Sequence, residues 1–280
     1  MNDLFETFLK IRRDIHQHPE LGFEEHRTSK IVKSLLSEWG YQVHEGYATT
    51  GVVGVLKKGN GERKLGIRAD MDALPIQEST QLSYSSKHEN IMHACGHDGH
   101  TTMLLAAAKY LAEKGNFSGT LNLIFQPAEE SLGGALRMMQ DGLFENHPCD
   151  AIFAMHNSPG YPQGQLIFRD DETMASSDYV TIKLNGVGGH GAYPNRCKDP
   201  IVAAASIIMA LQTVVSRNVN PLEMAVVTIG SIHSGKANNV IPEKAELTLS
   251  VRSLNREVRK QLELRIREVV LAQAQSFGVD

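Results

Sequence analysis

The segment Thr120-Leu-Asn-Leu-Ile-Phe125, running straight into Gln126-Pro-Ala-Glu129-Glu130, reads as a strand that ends in two adjacent carboxylates. Other strands surround it. Val52 to Leu56 and Leu65 to Arg68 read as strands, the latter followed by Asp70, and Ala151-Ile-Phe-Ala-Met155 leads into His156. Helical patterns separate them: residues about 27 to 39 carry Ile31, Val32, Leu35 and Leu36 at helical spacing and stop at Gly40. Further helices follow at Thr101 to Tyr110 and at Ala135 to Met139. Strands alternating with helices predict an α/β fold with a mostly parallel sheet flanked by helices. In such sheets functional groups gather past the carboxyl ends of strands, which is where Asp70, Glu129, Glu130 and His156 fall.

Immediately before the Thr101 helix stands His93-Ala-Cys95-Gly-His97-Asp98-Gly-His100, one thiol, three imidazoles and a carboxylate in eight residues. Thiolate and imidazole are strong ligands for late divalent ions, and an extended Cys95-x-His97 would aim both side chains to one side. A lone buried cysteine would read as inert, and an isolated Glu-Glu pair as a helix start favoured by the helix dipole. Their sequence context turns both toward a metal site. With Glu129 and Glu130 on extended backbone, neighbouring side chains diverge, so one carboxylate can hold metal and the other can face a water.

Composition excludes other classes. The chain has 280 residues, 41% hydrophobic, enough for about two domains, and a formal net charge of -4 with scattered Lys and Arg, which predicts no nucleic-acid or membrane partner. The start reads as an amphipathic charged helix without a signal core, and no later segment reads as an unbroken membrane span, so the expected compartment is the cytoplasm. Cys95, Cys149 and Cys197 are odd in number and widely spaced, which fits reduced thiols. Near Ser176 the pattern changes to β-α-β-β-α: a strand from Asp178 to Leu184, a helix from about Pro200 to Val215, strands at Ala225 to Ile232 and Ala245 to Val251, and a helix from Asn255 to Phe277. That order matches a ferredoxin-like α+β layer wanting one more strand.

Six ordered motifs carry a resemblance: His16-Gln-His-Pro-Glu-Leu-Gly-Phe-Glu24, Arg68-Ala-Asp70-Met-Asp72-Ala-Leu-Pro75, the His93 to His100 cluster, Gln126 to Glu130, Gly189-His190-Gly-Ala-Tyr-Pro194 and Asn238-Asn-Val-Ile-Pro242. Together they resemble the M20 metallopeptidase family, and within it the amidohydrolase branch of hippurate hydrolases, N-acyl-amino-acid amidohydrolases and indole-acetyl-amino-acid hydrolases. The resemblance implies a catalytic domain over residues 1–176 and an inserted lid and dimerisation domain over 177–280, which would lack its final strand. It implies two divalent ions, manganese or zinc foremost and cobalt or nickel compatible with a thiolate, held by Cys95, His97, Glu130 and His156. Taken alone, a strand-end His such as His156 reads equally as a structural residue.

The resemblance makes Glu129 the general base and Asp70 a carboxylate that orients a ligand imidazole, since Arg68 stands where many relatives carry a metal-binding His. Asp70 and Asp72 alone would also read as a strand-end turn cap. It gives His190 to oxyanion stabilisation and Asn239 and Arg252 to the substrate carboxylate, although Arg252 also reads as a sheet-surface residue. His16, His18, His93 and His100 remain scaffold or supporting candidates. The implied activity is hydrolysis of an N-acyl or aroyl amino acid by a homodimer. Alternatives are an N-acetyl-diaminopimelate-type deacetylase and a noncatalytic metal-binding relative. The resembled family takes a further His from beyond the lid, so the chain reads as truncated, with its catalytic domain unfinished and its activity crippled.

Overall fold

The computed structural model describes residues 2–130, 132–168, 170 and 172–280, and the chain forms two compact units, Met1–Pro162 and Gln163–Asp280. In the first unit, helices α1 (Asn2–Gln17) and α2 (His26–Glu38) precede strands β1 (Gln42–Tyr47), β2 (Gly51–Lys58) and β3 (Lys64–Asp70). Helix α3 (His97–Lys114), β4 (Gly119–Gln126), α4 (Gly134–Gln140), α5 (Leu143–Asn146) and β5 (Ala151–Ala154) follow. The sheet order is β1-β2-β4-β3-β5. Because β4 and β5 both pair parallel to β3 while β2 is antiparallel to β1 and to β4, four strands share one direction and β2 alone is reversed.

Strand β4 is central and buried on both faces, which explains its nearly continuous apolar run. Leu121, Leu123 and Phe125 pack with Leu104, Leu105 and Ala108 of α3 and with Val32 and Leu36 of α2. Ile124, pointing the other way, packs with Val53, Met138 and Leu143. Strand β1 is absent from the sequence reading, for it is a polar edge strand that pairs in the sheet with β2 through a hairpin.

The second unit contains β6 (Ser176–Asn185), β7 (Gly189–His190), a 3₁₀ turn at Pro194–Arg196, α6 (Pro200–Asn218), β8 (Ala225–Ser234), β9 (Val240–Ile241), β10 (Lys244–Ser253) and α7 (Arg256–Ser276). Strand β6 begins at Ser176, where the sequence pattern changes. The antiparallel sheet runs β6-β10-β8, and a separate β7-β9 pair lies apart from it. Asp199 and Asn255 cap α6 and α7 by accepting from the Ile201 and Glu257 amides at 2.8 Å each. At the end of β6, Asn185 exchanges backbone hydrogen bonds of 2.6 and 3.0 Å with Asp280.

Helix α6 is long and apolar enough, by length and composition, to cross a membrane. Its excess hydrophobicity has a structural use: Ala203, Ala204, Ile207, Leu211 and Val214 are buried in this unit's core with Leu247, Leu249, Val251, Leu262 and Ile266.

Candidate metal centre

The carboxyl ends of β3, β4 and β5 bring the site together. β3 ends at Asp70, with Asp72 just beyond; β4 runs into Pro127–Glu130; β5 leads to His156 and Asn157. The fourth contribution comes from the start of α3. Here the backbone departs from the extended Cys95-x-His97 expected from sequence, since Gly96 takes a φ of 90° and His97 is already the first residue of α3. The left-handed turn, rather than strand alternation, brings the two side chains round. It also requires glycine, because a Cβ on Gly96 would lie 2.6 Å from Asn157 Oδ1.

His97 is the hub. It is fully buried, and its ligating atom lies within 4.8 Å of those of Cys95 and His156, of Glu129 and Glu130, and of Asp70 and His100, in three separate groupings. Its Nδ1 meets Asp72 Oδ1 at 3.2 Å, while Nε2 has no hydrogen-bond partner among the described residues. With the Nδ1 proton donated to Asp72, the Nε2 lone pair is left free. Around it stand Asp70 Oδ2 at 3.7 Å and Glu129 Oε2 and Glu130 Oε1 at 3.9 Å each. Those gaps are too long for hydrogen bonds, but they suit atoms that share a cation at about 2.0–2.2 Å from each. Cys95 Sγ lies 3.4 Å from His156 Nε2. An orphaned buried nitrogen beside carboxylates and a thiol therefore fits a divalent metal.

Glu129 and Glu130 differ from the sequence expectation too. Ala128 has a φ of 50°, which breaks the extended backbone, and both carboxylates converge on one His97 nitrogen instead of diverging. Burial first, and then the neighbouring Glu130 carboxylate, raise Glu129 above the ordinary carboxylate range, the direction that suits a proton acceptor.

One support went unread in the sequence, and one supporting candidate, His100, finds its partners. Asp72, not Asp70, holds the candidate ligand His97, and its second oxygen accepts the Glu130 amide at 2.9 Å. Asp70 instead contacts His100 Nδ1 at 2.6 Å and accepts from Arg68 at 2.7 Å, while His100 Nε2 accepts the Asn157 amide at 3.0 Å. Both His100 nitrogens are thus engaged, which makes it a brace for the His156–Asn157 segment. Spacing could not reveal these ties, because they join positions 25 to 58 residues apart.

The lid candidates belong to the second unit. His190 on β7 lies opposite Val240 on β9, and the carbonyl of Asn239, in the turn just before β9, accepts the Gly191 amide at 2.8 Å, so the two residues lie close along this β-pair. Arg252 is not with them: it is exposed near the end of β10, opposite Ser177 and Val226.

Residues 66–258 match Peptidase family M20/M25/M40. The hippurate hydrolase of Campylobacter jejuni is 54% identical over 278 residues, which cover 99% of this chain and 72% of that protein. The N-acetyl-L-cysteine deacetylase of Bacillus subtilis is 41% identical over 266 residues, covering 95% of this chain and 64% of that protein. The crystal structure of a dinuclear metal-binding M20 peptidase from Bacillus subtilis superposes with a TM-score of 0.82 at 35% identity, covering 100% of this chain and 73% of that one. Fold and site thus define a hydrolase of amide bonds. The chain belongs to the peptidase family M20/M25/M40, in its amidohydrolase branch.

Cys95 supplies a direct test of the donor set. Burial, followed by the Glu130, Glu129 and Asp70 carboxylates, pushes its thiol up to about 12, so the metal-free side chain is protonated at neutral pH. A ligating thiolate must lose that proton. Zinc titrated into the protein is expected to release a proton that the Cys95→Ala variant does not, as read by calorimetry in buffers of different ionisation enthalpy. Equal release by both proteins would remove Cys95 from the coordination sphere.

Proposed function

We propose that the protein hydrolyses the amide between an acyl or aroyl group and an amino acid with a free α-carboxylate. The observation that carries this reading is the unpartnered His97 Nε2 facing two carboxylates, Glu129 and Glu130, since a site that only stored metal would have no use for the second. Cys95, His97, Glu130 and His156 would hold two divalent ions, manganese or zinc foremost, with cobalt or nickel also suited to a thiolate. Such an ion, when bound, supplies Lewis acidity toward the scissile carbonyl and lowers the pKa of water toward about 7. Glu129 takes a proton from the attacking water and returns it to the leaving amine, so that one group serves as base and then as acid. His190 is assigned to the developing oxyanion and Asn239 to the substrate carboxylate, and Arg252, which lies apart from that pair on β10, is assigned to the carboxylate by the family resemblance alone. The two relatives support the substrate class, one named for hippurate and the other for an N-acetyl amino acid.

The deciding experiment incubates the purified full-length gene product and added manganese or zinc with hippurate, N-acetyl-methionine and N-acetyl-diaminopimelate, and follows new primary amine. Release from hippurate or N-acetyl-methionine is expected. Release from N-acetyl-diaminopimelate alone would move the function to a biosynthetic deacetylase, and no release from any of the three would remove the hydrolase reading.

A further inference from the structure

Glu25 stands just ahead of α2, more than a hundred residues from Glu129, and it is completely buried. Its Oε1 accepts the Ala128 amide at 2.8 Å, and its Oε2 accepts the Thr50 hydroxyl at 2.5 Å. Ala128 is unusual in three respects. It has a left-handed backbone, with φ at 50°, which a non-glycine residue adopts only where its surroundings impose it. Its carbonyl is tied as well, accepting the Gly134 amide at 2.9 Å. And the chain around it is closely enclosed: a Cβ on Gly22 would come within 3.0 Å of Ala128 Cα, and one on Gly134 within 1.8 Å of the Pro127 carbonyl. The residue that follows this turn is Glu129, so the turn decides where that carboxylate points.

We infer that Glu25 is a positioning residue: its carboxylate holds the Ala128 amide, and through it the left-handed turn that aims Glu129 at His97 Nε2. The inference rests on the general-base role proposed for Glu129, but the clamp itself is testable without turnover. Three variants separate reach from charge. Glu25→Gln keeps an oxygen at the same reach, and the Thr50 hydroxyl can rotate to accept from the new amide. Glu25→Asp keeps the charge but falls one methylene short of Ala128. Thr50→Val removes only the second hydrogen bond.

In metal-free protein, Glu25→Asp is expected to speed hydrogen exchange of the Ala128–Glu130 amides by about tenfold or more, while the amides of α3 keep parental protection. In metal-loaded protein the same variant is expected to lose roughly 10²-fold in kcat with KM and zinc content unchanged, the scale of a misplaced catalytic group. Glu25→Gln and Thr50→Val should stay near parental in both measurements. Parental exchange in Glu25→Asp would overturn the clamp. So would a loss in Glu25→Gln or Thr50→Val as large as in Glu25→Asp, which would mean that charge or general packing matters instead. If the parental protein releases no amine, the proposed activity fails, whereas the exchange result still decides whether Glu25 holds the turn.

Discussion

Glu129→Gln is expected to bind metal as the parental protein does while losing turnover by roughly 10²–10⁴, the contribution of a positioned general base. The substitution keeps the size of the side chain and removes its ability to take a proton. Glu130, Cys95, His97 and His156 remain to hold the ions. The structure gives the expectation its direction, since Glu129 is partly exposed and raised in pKa by burial and by Glu130, whereas His97 beside it is sealed from solvent. Stopped assays of primary amine release, paired with elemental analysis of the same preparations, check it. A variant with near-parental turnover would end the assignment; a variant that lost metal together with activity would make Glu129 a ligand.

The second large effect is expected at Asp72. Asp72→Ala removes the acceptor that orients His97 through Nδ1 and, in the same stroke, the acceptor of the Glu130 amide. Burial would raise the Asp72 carboxyl, but the donors of His97 and of the Glu130 and Glu129 amides outweigh it and hold it below the ordinary range, so it is a carboxylate at neutral pH. Loss of a partner that orients a ligand typically costs about 10- to 100-fold in metal affinity. Because both grips go at once, the upper end is expected here. Two buried donors left unpaired would add roughly 1–3 kcal/mol each in lost stability. Asp72→Asn, which can accept only one of the two hydrogen bonds, should fall between. Zinc competition against a chromophoric chelator measures the affinity, and parental affinity in Asp72→Ala would show that His97 needs no such support.

The legible part of the fold is the part written in local pattern. Apolar runs at β2, β3 and β4 and helical spacing at α2 and α3 fall where sequence places them, because each buries the face that its periodicity marks; β5 falls there too, although its four residues are exposed. What escaped was polar or long-range. β1 has little apolar signal and depends on its hairpin. The apolar length of α6 shows only in the folded unit to be a core face. The first unit ends in sequence at Pro162, ahead of the position near Ser176 where the pattern of residues changes.

The sequence by itself singled out the candidate donors. Cys95, His97, Glu129, Glu130 and His156 are recognisable from donor type, the last three also from their place beyond strand ends, and the structure places the other four around His97. Only the tertiary structure decided how they are aimed. Gly96 and Ala128, both left-handed, replace the extended backbone that spacing implies, and Asp72, His100 and Glu25 hold the ligand and base segments through hydrogen bonds across 25 to 103 residues. The physical reason is that donor chemistry belongs to a side chain wherever it sits. Its direction depends on backbone torsions and buried acceptors, which exist only once distant segments have closed on one another.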